Sequence, residues 1–342
     1  MFSDAVSIGL KPLAKSDGKF SKLLFWAFLL LLAWVPLPLG SNRPWSWSFL
    51  SFSVGILLIL WAFAAFRHPS MAKLPGRVFV FPGVLFGLVI LWALVQTTML
   101  TPIDWHDPLW QDAAKILGKP LNSAITTDRE TAIEHALRLV AYAGIFWIAA
   151  QFGRDPSNAR AILWCISIAA IAYASYGLSV YTAGNKTILG YAKWANTGDL
   201  TSTFVGRAAY GAYAGMGILT ILGLVLHSVS QTARSAAKEG QRLSEALPPS
   251  IYCLVCGAIV VTIAMMFTHS RGALLVTAIG AAVMLSILIG RANTRRKPLI
   301  ALSVLVFGSG FVILEMSGRA TLGRVMQLAH QGTGRDTVHE IA

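Results

Sequence analysis

The sequence predicts an all-α, polytopic integral membrane protein with about nine transmembrane helices, a cytoplasmic N-terminus and a periplasmic C-terminus. Three observations lead there. The 342 residues are 55% hydrophobic and only 13% charged, roughly half the charged share of a soluble domain. The apolar residues fall in blocks of about 20, the helix length that crosses the hydrocarbon core of a bilayer. Backbone groups in lipid must be paired within the protein, and an open sheet edge leaves them unpaired, so helix is the spanning state. Disorder and a single soluble core are both excluded by this composition. Three cysteines are too few for a disulfide framework.

The predicted spans are 23–39, 46–66, 78–98, 133–152, 161–180, 205–226, 250–268, 272–290 and 299–315. They form a helical bundle over 23–315 behind a cytoplasmic leader, 1–22. The leader is long and basic, and the first block carries Pro36 and Pro38 without an A-x-A cleavage pattern. The first block is therefore expected to stay as a helix rather than to be removed as a signal. An outer loop, 99–131, is rich in Asp, Trp and Pro, with Trp105 and Trp110 expected as interface anchors. The inner loop 227–249 is polar and ends in Pro248 and Pro249, which predicts a short surface helix followed by a turn. Residues 316–342 are expected to leave the membrane on the outer side.

Charge sets the orientation. With the N-terminus inside, the cytoplasmic segments hold sixteen bases against five acids, and the outer segments twelve against ten. The formal net charge of +13 is thus accounted for by the positive-inside bias, and no nucleic-acid partner is required.

Three arginines run against that bias. Arg207 opens the sixth span and Arg271 sits in the short turn between the seventh and eighth, both at the outer face in this topology. Arg138 lies about two turns into the fourth span from the same side. Guanidinium is permanently charged and presents a planar fork of donors suited to phosphate oxygens. Arginines at one leaflet boundary are candidates to hold the diphosphate of a lipid carrier. The plainer alternative is that each snorkels to the interface or pairs locally. Glu134 stands four residues before Arg138, in position to pair with it.

The stretch Ser202-Thr203-Phe204-Val205-Gly206-Arg207-Ala208-Ala209-Tyr210-Gly211-Ala212-Tyr213-Ala214-Gly215 resembles the G-T-F-x-N-x-N-x-x-A-x-Y motif of the O-antigen ligase and O-antigen/exopolysaccharide polymerase family. Thr268-His269-Ser270-Arg271-Gly272-Ala273 resembles its T-x-S-R-G motif, and Gly334-Arg335-Asp336-Thr337-Val338 its G-R-x-x-x-W segment. The run Ile125 to Asp155 resembles the entry to the family's fourth helix. The resemblance covers most of 120–342. It implies a multi-pass bacterial inner-membrane glycosyltransferase that needs no metal, nucleotide or other cofactor. Its partners would be the bilayer, a glycan linked to undecaprenyl diphosphate, and an acceptor glycan or lipid A-core. Arg271, and Arg207 with it, would hold the diphosphate as it leaves.

Departures from the family pattern are plain. Its two motif asparagines are Gly206 and Ala208 here, and the aromatic of the loop-opening segment is replaced by His339 or is absent. The sequence reaches Ala342 inside what the resemblance makes the large outer loop, before the family's catalytic histidine and final helices. The expectation is therefore a fragment or a truncated product of weak or no activity, with its general base unassigned. His330 and His339 fall in the right compartment but match no motif.

Other signals carry less. Cys253 and Cys256 form C-x-x-C inside an apolar block, which reads as packing. Asp104, His106 and Asp107 read as a polar interfacial loop, and the G-x-x-x-G pairs Gly83/Gly87 and Gly211/Gly215 as close helix packing. The rival functional reading is a transporter or flippase of lipid-linked glycans docking its cargo on the same arginines. No inverted repeat of the kind transporters carry is visible in the sequence. The topology is checked by a reporter fused after Ala342, which is expected to be active in the periplasm and silent in the cytoplasm.

Overall fold

The computed structural model describes residues 19–67, 76–239 and 246–290. The helices are α1 (Lys19–Trp34), α2 (Pro44–Arg67), α3 (Gly76–Val95), α4 (Leu109–Leu117), α5 (Arg129–Phe152), α6 (Pro156–Thr182), α7 (Arg207–Glu239), α8 (Pro249–Met266) and α9 (Arg271–Gly290). Two two-residue strands, β1 (Thr187–Ile188) and β2 (Tyr191–Ala192), pair antiparallel between α6 and α7. Each of the first eight predicted blocks is helical. Five helices, α2, α5, α6, α7 and α8, are long and apolar enough to cross a membrane, and shorter apolar stretches run over Phe79–Val95 and Arg271–Ile287. The described residues are thus mostly helical, with the long apolar helices of a membrane protein. The ninth predicted block, 299–315, lies outside the described residues.

Two boundaries differ from expectation, each for a local reason. The first block was expected to run to 39, whereas α1 ends at Trp34. Pro36 and Pro38 lack the N–H that continues a helix and bias the residues before them away from it. The chain turns there and enters a short 3-10 turn at Leu39–Ser41, with Gly40 left-handed at φ 65°. In the other direction, α7 runs 33 residues to Glu239, through half of the expected inner loop. The segment His227–Glu239 contains neither Gly nor Pro, and its Ala, Gln, Arg and Lys residues favour helix, so nothing stops α7 at the end of its apolar stretch.

The chain divides into two compact units, residues 1–162 and 163–342. In the first, α2 packs on α1 and α5, and α3 packs on α5. Its core gathers Phe25, Phe28, Leu50, Val54, Leu57, Ile148 and Phe152, with the Phe25 and Phe152 rings 5.2 Å apart. The outward faces are apolar too. Val80, Phe81, Val84, Leu85 and Leu88 of α3 are all exposed, as on a surface solvated by lipid rather than water. The α5 N-terminus is capped by Asp128, whose carboxylate accepts from Thr131 N–H at 3.0 Å and Thr131 Oγ1 at 2.6 Å. These bonds hold the Asp128 carboxyl below the usual carboxylate range. The cap is therefore fully present above the ordinary carboxylate pKa and is lost as pH falls through the lowered one.

The outer loop is ordered by its own polar groups. The two ring nitrogens of His106 bond Ser123 Oγ at 2.7 Å and Thr101 at 3.0 Å. Asp107 accepts from Leu109 N–H at 2.9 Å, at the start of α4. Trp105 is exposed. Trp110 instead turns into the loop, donating its indole N–H to Thr126 O at 3.1 Å under the guanidinium of Arg129.

In the second unit, α7 is the central helix, packed on α8 and α9. The core there is Ala170, Ala174, Leu200, Tyr210, Ala214, Ile221, Leu224, Leu254, Val261, Ala264 and Met265. Small residues make the close approach. A Cβ added at Gly211 would come within 2.7 Å of the Ala273 methyl, and one at Gly215 would collide with the Thr277 hydroxyl. Gly83 and Gly87 behave differently from expectation: a Cβ there meets nothing among the described residues, so this pair does not seat a helix. Nor do Cys253 and Cys256 pack inside. Both are exposed on α8, whose buried face is Ile251, Leu254, Gly257, Val261, Ala264 and Met265.

Gly215→Val is expected to destabilise the second unit by about 1–3 kcal/mol, the usual cost of overpacking. Gly83→Ala should be neutral or stabilise by up to about 1 kcal/mol. Thermal unfolding of the purified protein in detergent measures both.

Candidate functional site

The loop between α6 and α7 folds back against the turn between α8 and α9. Leu189 and Gly190 reverse the β1–β2 hairpin with positive φ, and the Leu189 N–H donates to the Tyr176 hydroxyl at 2.8 Å. Farther on, Leu200 is buried and its N–H donates to Phe267 O at 3.0 Å, a backbone bond that ties loop to turn. Thr201, Ser202 and Thr203 follow, all buried. Ser202 is left-handed at φ 49° and donates its hydroxyl to Tyr173 O on α6 at 2.6 Å. Phe204 then packs on the rings of Tyr210 and Tyr213, at 5.8 and 5.4 Å. The first motif is thus a tight polar loop locked onto α6 and onto the first turns of α7.

The second motif is turn chemistry. Thr268 donates its hydroxyl to Met265 O at 2.7 Å at the end of α8, and its Oγ1 accepts from Ser270 N–H at 3.2 Å. Ser270 precedes the first residue of α9. Its carbonyl accepts from Leu274 N–H at 3.2 Å, and its hydroxyl oxygen lies 3.5 Å from Ala273 N–H, the position of an N-cap. Between the two buried hydroxyl residues, His269 takes the left-handed conformation at φ 49°, which lets the chain reverse in four residues.

Arg207 is the first residue of α7 and Arg271 the first of α9. The two helix starts are brought together by one carboxylate. Asp199 Oδ2 accepts from Arg207 Nη1 at 2.9 Å, and Asp199 Oδ1 lies 2.9 Å from His269 Nδ1. The Asp199 side chain is mostly buried, while those of Arg207 and His269 are about half exposed. Lys193 adds a third contact, donating from Nζ to the Asp199 backbone carbonyl at 2.9 Å. Burial pushes the Lys193 ammonium down from its ordinary pKa, and the Asp199 charge opposes that shift. Arg271 follows His269 by two residues and is half-buried. Arg207 and His269 thus meet the Asp199 carboxylate and Lys193 its backbone carbonyl, at one end of the second unit.

Helix macrodipoles sharpen this asymmetry. A helix N-terminus carries a partial positive charge that disfavours a cation there by about 0.3–1 kcal/mol. Arginine is therefore not favoured at the first helical position on stability grounds, yet it opens α5, α7 and α9 alike. Helix N-termini and guanidinium groups both favour anions, and α7 and α9 each combine the two at their first residue.

Arg138 is placed otherwise. It lies in the first unit, 3.8 Å from Glu134 and with its guanidinium 4.7 Å from the centre of the Trp47 ring. These are local contacts, of the kind its spacing from Glu134 allows. His330, His339 and the segment Gly334–Val338 lie outside the described residues. Sequence reading missed Asp199, Lys193 and the participation of His269. The available signal was a single acid in the polar run Asn196-Thr197-Gly198-Asp199, just before buried Leu200. Comparison with family models, curated proteins and solved structures finds no match to this chain.

Asp199→Asn is expected to release the loop from the turn. Hydrogen exchange at the Leu200 amide, read by mass spectrometry of the detergent-solubilised protein, should accelerate roughly tenfold, equivalent to about 1.4 kcal/mol for a charged hydrogen bond.

Proposed function

We propose that this protein is a bacterial inner-membrane glycan transferase of the O-antigen ligase or polysaccharide polymerase type. It moves a glycan from undecaprenyl diphosphate to an acceptor sugar hydroxyl at the periplasmic face. The observation that carries this reading is the tie that Asp199 makes between Arg207, at the start of α7, and His269, in the turn just before Arg271 and α9, with Lys193 on the Asp199 backbone carbonyl. A diphosphate offers two to three negative charges and many acceptor oxygens, which such a locus complements. The apolar faces of the helices would accommodate the polyprenyl chain in the adjoining lipid. Fixed guanidinium charges would stabilise the charge that grows on the diphosphate as its bond to the sugar breaks, the usual electrostatic route to a lower barrier.

The orientation that places this locus outside rests on the charge bias of the loops. The resemblance of the two motifs agrees with the same chemistry, and the helical hairpin of α8 and α9 gives the second motif its four-residue turn. Arg138, the weaker candidate, is held by Glu134 and Trp47.

Arg271→Ala, introduced into the full-length protein in a strain lacking the chromosomal copy, is expected to abolish glycan transfer while membrane insertion is kept. Carrier-linked glycan should accumulate, as scored by gel and mass analysis of extracted lipids. Loss of long chains alone would mark a polymerase, and loss of attachment a ligase. Normal transfer by the variant would overturn the assignment.

A further inference from the structure

The loop that joins α3 to α5 in the first unit begins and ends at one place. Thr126 N–H, just before α5, donates to Gln96 O, just after α3, at 3.2 Å. Residues 97–125 therefore leave and return level with the adjoining helix ends. α5 is long and apolar enough to cross a membrane, and α3, which packs on it, is apolar from Phe79 to Val95. The loop starts and finishes where that apolar pair ends, which is the height of a bilayer surface.

α4 is pinned at this height. Its Trp110 indole donates to Thr126 O at 3.1 Å, and Arg129, the first residue of α5, lies over the same ring. Asp107, just ahead of α4, donates its backbone N–H to Ala124 O at 3.1 Å. Trp105 stands beside Trp92 in the last turn of α3, with the ring centres 6.5 Å apart. The helix stops at Gly118, left-handed at φ 63°, whose N–H returns to Ala114 O.

This loop is polar within and apolar without. The His106 ring is engaged by Thr101 and Ser123, and Arg129 by the Asn122 and Ser123 carbonyls. Outward stand Leu100, Ile103 and Trp105 and, on α4, Leu109, Ile116 and Leu117, which are 63, 85 and 59% exposed. Leu109 and Ile116 lie on one line, two turns apart, with Leu117 beside them, while Gln111, Asp112 and Lys115 take the other side. A nine-residue helix is marginal in water by itself, and leaving its largest apolar groups in water does nothing to hold it. An exposed apolar patch rimmed by polar residues marks a contact surface. Here the position supplies the contact, because the patch continues the apolar outward face of α3 at the level where that helix ends. The contact is apolar rather than electrostatic: Asp112 pairs with Lys115 at 3.2 Å.

We infer that α4 is an interfacial helix. It lies along the membrane surface with Leu109, Ile116 and Leu117 in the boundary between headgroups and acyl chains, and with Gln111, Asp112 and Lys115 in water. Its partner is the bilayer itself. Through Trp110 and Arg129 it fastens the entry of α5 to that surface.

The test uses the full chain with Cys165, Cys253 and Cys256 replaced by Ala. Leu109→Cys, Gln111→Cys, Lys115→Cys and Ile116→Cys are introduced one at a time, labelled with an environment-sensitive fluorophore and reconstituted in phosphatidylcholine vesicles. Doxyl-labelled lipid should quench the label at 109 and 116 at least about threefold more than at 111 and 115, and aqueous iodide should do the reverse. Adding Ile116→Asp to the chain labelled at 109 should cut the lipid quenching there by about half or more. Equal quenching by iodide at all four positions would put α4 in water and overturn the inference. Shielding of 109 and 116 from both quenchers would mean that protein covers the face, from this chain or a second copy, and would overturn it equally. Should the cysteine-free chain fail to fold, the wild-type chain is photolysed in the same vesicles with a diazirine dissolved in the lipid. Mass spectrometry should then find the adduct on Leu109, Ile116 or Leu117, and an adduct on α3 with none on α4 would refute the assignment.

Discussion

The second unit depends on one carboxylate with a basic side chain on each oxygen. Asp199 meets Arg207 and His269 at 2.9 Å each, and so fastens the start of α7 to the turn that starts α9. Without a negative charge between them, two helix N-termini and their arginines would repel one another. Asp199 lessens that repulsion without neutralising it, because Lys193, Arg207 and Arg271 remain against a single acid. Structural economy would have placed acids at these helix starts.

The small residues of α7 belong to the same construction. Gly211 and Gly215 let α9 approach, and Gly211 sits against Ser270 and Thr268 as well as Ala273. Helix packing in lipid relies on such backbone proximity, since lipid tails give no hydrophobic incentive for helices to associate. The spacing of the two helices and the position of the turn are therefore set together, and the polar cluster inherits its precision from an apolar interface a turn or two away.

Much of the architecture was legible in the sequence, because bilayer burial writes itself as blocks of apolar residues. Where expectation and structure part, the cause is local. Pro36 and Pro38 end α1 early, and an uninterrupted run of helix formers carries α7 past its apolar stretch. The candidate arginines were legible as bases on the unexpected side of a charge pattern. Asp199 was not, since a lone acid in a polar loop has no period and no spacing, and its importance lies in contacts with residues 8 and 70 positions away. Lipid-facing glycines and cysteines misled for the opposite reason: Gly83, Gly87, Cys253 and Cys256 have the spacing of a packed face but lie on exposed ones.

The length of α7 has one more consequence. A rod of 33 residues measures about 50 Å, against roughly 30 Å of hydrocarbon, so about 20 Å of it stands clear of the bilayer core. It has no proline to bend it, and Arg207 sits at one tip. A tilt of about 5° at that tip would sweep the far one through about 4 Å. Movement at the Arg207 end of this rod would therefore be carried to the basic end that holds Arg234 and Lys238.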